Sequence, residues 1–244
     1  MMRANMMRTR ICGTLLFLAG CTVGQAAKLS PAEQTAAINA VREYALSYAK
    51  RLPNDMCTLA TSHTTRPANA INDPSIERTV TEEQLSFVDG KPTGDPQAGM
   101  VQRQVEGLLD VIFEPATATE IRWNRAATLN GHQVDVLAFH IPQTGGYFLT
   151  GHRGVVRVPF EGLVFADAQT HAVLRIQMKC TMIPESSIIR NFDLTLDYNA
   201  AQLAGREVIL PSHFVTNYVD VAADRQVLDD GRYSAWRQSD GNKP

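Results

Sequence analysis

Cysteine, histidine and paired carboxylates are the side chains of this 244-residue sequence best suited to act as nucleophile, base or metal ligand. Cys57 and His63 are close enough to suggest a thiol–imidazole pair or two metal ligands. Six residues of extended chain span about 20 Å at roughly 3.3 Å each, so on one continuous strand they cannot share a site. His132, His140, His152, His171 and His213 are dispersed over expected strands and turns and read as unrelated surface or core histidines. Glu82-Glu83 and Asp229-Asp230 are adjacent carboxylates, but neighbours on extended chain point to opposite faces, which is poor acid–base geometry. Both pairs read as solvated turn residues. The stretch TGGYFLTGHRG (Thr144 to Gly154) has the composition of a phosphate-cradling loop, yet Tyr147 to Thr150 reads as a short strand between two glycine turns. No serine has glycine at both −2 and +2, and H-E-x-x-H, the Walker loop and C-x-x-C are absent. No catalytic residue, metal ligand set or cofactor is assigned, and a non-enzymatic protein is expected.

The chemistry that does have a motif lies near the N-terminus. Arg3, Arg8 and Arg10 precede an apolar run from Ile11 to Val23 with no acidic residue among them. That run is shorter than the roughly 20 residues a spanning helix needs, and its basic start marks a removable export signal. Leu18-Ala19-Gly20-Cys21 resembles the lipobox of bacterial lipoproteins, in which Cys21 would receive a diacylglycerol and become the new N-terminus. Gly24-Gln25-Ala26 offers an alternative cut that gives a soluble product. The signal is therefore 1–20, or alternatively 1–26, with 21–29 as linker or tether. An envelope location follows, periplasmic and membrane-tethered through Cys21, or soluble if the second cut is used.

Removing residues 1–20 takes three arginines and no acid, so the formal charge moves from −2 by three to −5. A mildly acidic body without Lys/Arg clusters argues against nucleic acid as a partner. In an oxidising compartment Cys57 and Cys180 would be permitted to form a disulfide; two separate buried thiols are the alternative.

The elements that must position these residues follow from periodicity. Ser30-Pro31-Ala32-Glu33 is a capping box with proline at the first helical position, and Ile38, Val41, Ala45, Tyr48 and Leu52 continue one helix face until Pro53. Short strands and turns are expected from Asn54 to Gly94, with a strand at Gln84 to Val88. A second helix is predicted from Met100 to Phe113, with Val101, Val105, Leu108, Leu109 and Ile112 as its stripe. The rest reads as strand: Thr119–Thr128 and His132–Ile141 around Asn130-Gly131, Val155–Phe165 and Ala172–Met182 around Asp167 to Thr170, Phe192–Tyr198, Glu207–Leu210, His213–Val221 and Arg232–Arg237. Residues 239–244 read as a tail, leaving 30–238 as a single domain. The class is α+β, an antiparallel sheet of about 8–11 strands with two amphipathic helices over its buried face.

Two stretches carry a resemblance. EGLVFADAQTHAVLRIQMKCTMIP (Glu161 to Pro184) resembles a recurring hairpin of exported bacterial proteins, a strand meeting a D-x-x-T turn and returning as V-x-R-I. LDYNAAQLAGREVILPSHF (Leu196 to Phe214) resembles the same group's tyrosine strand, glycine turn and LP strand end. Together they resemble the lipoprotein-carrier (LolA/LolB-like) superfamily. That resemblance implies a curved half-barrel with helices lidding its concave side, and an apolar cavity that receives acyl chains. Candidate lining residues are Val105, Leu108 and Ile112 of the second helix, with Leu174, Ile176, Met178, Phe192, Leu194 and Leu196 from the inward strand faces. The expected partner is a lipid or other apolar ligand. A filled core would instead indicate a structural or interaction module of an envelope complex, and a polar cleft gathering histidine and carboxylates would indicate an enzyme.

Overall fold

A computed structural model of the chain describes residues 29–52, 54–68, 75–88, 91–93 and 107–239. Helix α1 (Pro31–Arg51) begins as its capping box requires: Glu33 N donates to Ser30 Oγ and Ser30 N to Glu33 Oε2. It buries Ala37, Val41 and Ala45 and closes with Lys50 and Arg51 in its last turn, where cations offset the helix dipole. Of the predicted second helix, α2 (Leu108–Phe113) falls within the described residues, and Leu108, Leu109, Ile112 and Phe113 are all buried. Pro115 follows directly and stops it.

The strands are β1 (Asp55–Pro67), β2 (Glu77–Val88), β3 (Lys91–Thr93), β4 (Glu120–Leu129), β5 (His132–Ile141), β6 (Tyr147–Gly151), β7 (Gly154–Val158), β8 (Phe160–Asp167), β9 (Val173–Cys180), β10 (Ile189–Leu203), β11 (Arg206–Asp220) and β12 (Arg225–Gln238). Ten of them form one antiparallel sheet in the order β3-β2-β1-β12-β11-β10-β9-β8-β5-β4, open at both edges. The first and last long strands pair, β1 with β12, and join the N-terminal hairpin to the meander. Hairpin β6–β7 is a separate two-stranded ribbon inserted between β5 and β8, which pair with each other.

Several strands are longer than their local patterns indicate. Glu207–Leu210 and His213–Val221 are one strand, β11, carried past a bulge at Ser212, whose hydroxyl bonds Asp197 O. The predicted strand Val155–Phe165 is instead two, because Pro159 separates β7 from β8. Asp229 and Asp230 are not turn residues but lie inside β12, and Glu82 and Glu83 lie inside β2.

One lateral row shows how the sheet is built. Thr79, His63, Asp229, Thr216, Leu194, Met178, Gly162, Phe139 and Ile121 are successive cross-strand partners from β2 to β4, all on the face that α1 packs against. Gly162 is required there, since a Cβ would collide with the Gln177 carbonyl and the Phe139 ring. The main core joins Val41 and Ala45 of α1, the apolar face of α2, and inward residues of β5 and β8–β11. A smaller apolar cluster, Val134, Val136 and Phe165, occupies the opposite face.

Candidate functional site

Leu174 aside, the described residues among those expected to line a cavity are buried, and Met178 and Leu194 also border a groove on the other face of the sheet. Leu108, Ile112, Ile176 and Leu196 are fully buried, and Met178, Phe192 and Leu194 nearly so, all within the one main cluster. Leu174 is a correction: β9 carries an extra residue there, opposite the Phe165–Ala166 step, and this turns Leu174 to the small cluster on the other face. Val105 and Cys21 lie outside the described residues. Cys57 and Cys180 are separate thiols rather than a disulfide. They stand on β1 and β9, four strand positions apart, about 19 Å along the sheet at 4.8 Å per strand. Burial, and then the charge of Asp193, push the Cys180 thiol up to about 12, which leaves it a poor nucleophile.

Space opens at the rim of the sheet. A cavity of about 620 Å³ lies between the last turns of α1, the β8–β9 turn and the β10–β11 hairpin. Its floor is apolar: buried Ala172 and half-buried Leu52, Val208 and Ile209, with the rings of Tyr44 and Tyr48. Its lip is charged: exposed Lys50, Arg51 and Arg206 stand against the single carboxylate Glu207. Each lining group has a local cause. Lys50 and Arg51 are placed by the end of α1, and Arg206 follows the two-residue turn Ala204-Gly205, both at positive φ as a tight hairpin requires. Asp167 Oδ1 accepts from the backbone N–H groups of Gln169 and Thr170, which fixes the third wall.

The tyrosines tie the helix to the hairpin. Tyr48 Oη donates to Ile209 O at 2.9 Å and its ring meets Tyr198 edge-on. Arg51 lies 3.8 Å over the Tyr44 ring and donates to Tyr44 O. Burial raises both phenols, Tyr48 well above the ordinary value, so both remain neutral. Behind Tyr48, Asp55 is 1% exposed and neither carboxyl oxygen has a hydrogen-bond partner. Burial alone lifts its carboxyl to about 7.

A second groove, about 520 Å³, crosses the opposite face of the sheet. Its charges balance: Lys179 pairs with Glu161 at 3.1 Å, and Arg122 and Asp193 add one charge of each sign. The rim cavity is larger and has an unbalanced positive lip, so it is the candidate site. Sequence reading passes over it because Lys50 and Arg51 look like ordinary helix-end cations and Arg206-Glu207 like turn residues. The usable signal is a basic pair at the end of an amphipathic helix bearing Tyr44 and Tyr48.

No protein-family model matches this chain, and no curated protein does. Among solved structures, a domain described as that of an outer membrane lipoprotein-sorting protein from Vibrio parahaemolyticus is similar at TM-score 0.46 and 8% identity, over 83% of this chain and 92% of that one. A DUF1329 family protein from Desulfovibrio piger is similar at TM-score 0.40 and 7% identity, over 84% of this chain and 95% of that one. No residue role passes between chains at that level of likeness.

Proposed function

We propose that this chain is an exported envelope protein that binds an anionic amphiphile, with the charged head at Lys50, Arg51 and Arg206 and the first part of the apolar chain on the cavity floor. The observation that carries this reading is the rim cavity itself, an apolar floor under a lip with three cations and one acid. Arg and Lys at an exposed rim supply charge-assisted hydrogen bonds to phosphate or carboxylate, while burial of methylenes contributes about 0.8 kcal/mol each. Export through 1–20 and tethering through Cys21 belong to the same proposal and are supported by the basic, apolar, small-residue order of that segment. A ligand protein tethered at the membrane would meet its amphiphile there.

The test is titration calorimetry with dodecyl phosphate below its micelle concentration, beside dodecyl maltoside as the neutral-headed control. The phosphate should bind at one site and at least tenfold more tightly than the maltoside, and the Arg51→Ala/Arg206→Ala double variant should lose that preference. Equal binding of both detergents by the parent and the double variant would refute the cationic site. The solid packing on the helix side supports a second reading, a structural module of an envelope complex, and absence of any detergent binding would favour it.

A further inference from the structure

At the other end of β1, on the same face as α1, His63 and Asp229 meet across strands. His63 Nδ1 lies 2.5 Å from Asp229 Oδ1, and the Thr216 hydroxyl donates to Asp229 Oδ2 at 3.2 Å. Thr216 is fully buried and Asp229 9% exposed, whereas the His63 side chain keeps 45% of its surface open. In the neutral imidazole a carboxylate held this way selects the tautomer with its proton on Nδ1, which leaves the Nε2 lone pair facing away from the acid. Tyr218 stands two residues along β11 from Thr216, stacked on Phe192. Burial first, then the charges of Asp229 and Asp220, push its phenol up to about 12, so it stays an O–H donor. On the same face Arg225 binds Glu77 at 2.7 Å and also donates to Thr65.

We propose that His63, positioned by Asp229 and Thr216, is a general base that activates water against a carboxylic ester bound at this end of the sheet, with the Tyr218 hydroxyl donating to the developing oxyanion. Nε2 takes a proton from water as the water oxygen bonds to the acyl carbon. The carbonyl π pair moves onto oxygen, where Tyr218 meets it, and Asp229 stabilises the imidazolium. Collapse re-forms the carbonyl, breaks the bond to the alkoxide, and returns the proton from Nε2 to that leaving oxygen. Water and ester thus become acid and alcohol, with no further reactant. A neutral ester fits better than a phosphoester, because phosphoryl transfer needs cations around its oxygens and Arg225 is already paired with Glu77. His63 and Tyr218 are the catalytic residues; Asp229 and Thr216 are positioning residues.

The test is release of 4-nitrophenol from its acetate and butyrate esters by the full chain and by folded variants checked by circular dichroism. His63→Gln should lower kcat/KM about 100-fold or more, in line with the usual range for a general base. Asp229→Asn should lower kcat with KM kept, and Tyr218→Phe should lower kcat about tenfold. Independently of any variant, diethyl pyrocarbonate labelling mapped by peptide mass should abolish activity in step with His63 modification. A parent chain no faster than folded His63→Gln, or full activity with His63 labelled, overturns the proposal.

Discussion

Thr216 and Leu194 are neighbours on β11 and β10, and between them the helix-side face of the sheet changes character. On one side the lateral row continues as Leu194, Met178, Gly162, Phe139 and Ile121, over which α1 makes its main strand contacts, with β9 and β4. On the other it continues as Asp229, His63 and Thr79, with Asp229 hydrogen-bonded across strands to His63 and Thr216. Burial of apolar surface is non-directional and draws a helix down wherever enough of it is offered. A row of hydroxyls, a carboxylate and an imidazole offers none, and it keeps groups that can exchange protons, with His63 half exposed. Both sides of this boundary share one hydrophobic core, to which β1, β2 and β12 contribute Cys57, Leu59, Phe87 and Tyr233, but along this row the contacts change from apolar to polar.

Substitutions that strike one half and spare the other break this contrast most sharply. Leu196 is fully buried in the packed half, and Leu196→Ala should cost about 3 kcal/mol in urea denaturation. Thr79→Ala, exposed in the open half, should stay within about 0.5 kcal/mol of the parent. Equal losses at the two positions would show that the open half is packed as tightly as the other.

Asp55 sharpens the contrast from the polar side, because it is a carboxyl stranded beneath the helix. Its folded value is raised from 3.8 to about 7, so between those limits the folded state holds a proton that the unfolded state releases. Stability therefore falls as pH rises through 7. Asp55→Asn should raise stability by about 2 kcal/mol at pH 8, with the gain fading as pH approaches 4, measured by denaturation at both pH values. The smallest expected effect is at the helix start. Ser30→Ala removes the capping hydroxyl and should cost about 1 kcal/mol by thermal denaturation, without altering the His63–Asp229 pair.

What the sequence makes legible follows the same division. The β4–β5 hairpin is readable because Asn130-Gly131 encodes its own positive φ values, and the β8–β9 turn because Asp167 caps the N–H groups two and three residues on. The α1 boundaries are readable from Ser30, Pro31 and Glu33. These are local signals. Leu174 misleads because a bulge shifts the alternation by one, which no residue type announces. β1 and β2 look like short strands because between Leu59 and Leu85 threonines, serines and glutamates face both ways, and period-two alternation disappears where neither face is apolar. Asp229 and His63 are 166 positions apart, so their pairing exists only once β12 closes against β1. The rim cavity likewise draws on three distant segments, each of which looks like a helix end or a turn by itself.

The most direct measurement is native mass spectrometry of the protein extracted gently from its own cell envelope, followed by a denaturing spectrum. The expected result is a mass of an acidic amphiphile that is lost on denaturation and missing from the Arg51→Ala/Arg206→Ala variant, on a chain beginning at a lipidated Cys21. Protein that is empty in every gentle extraction, on a full-length unprocessed chain, would contradict the amphiphile-binding reading and the export reading together.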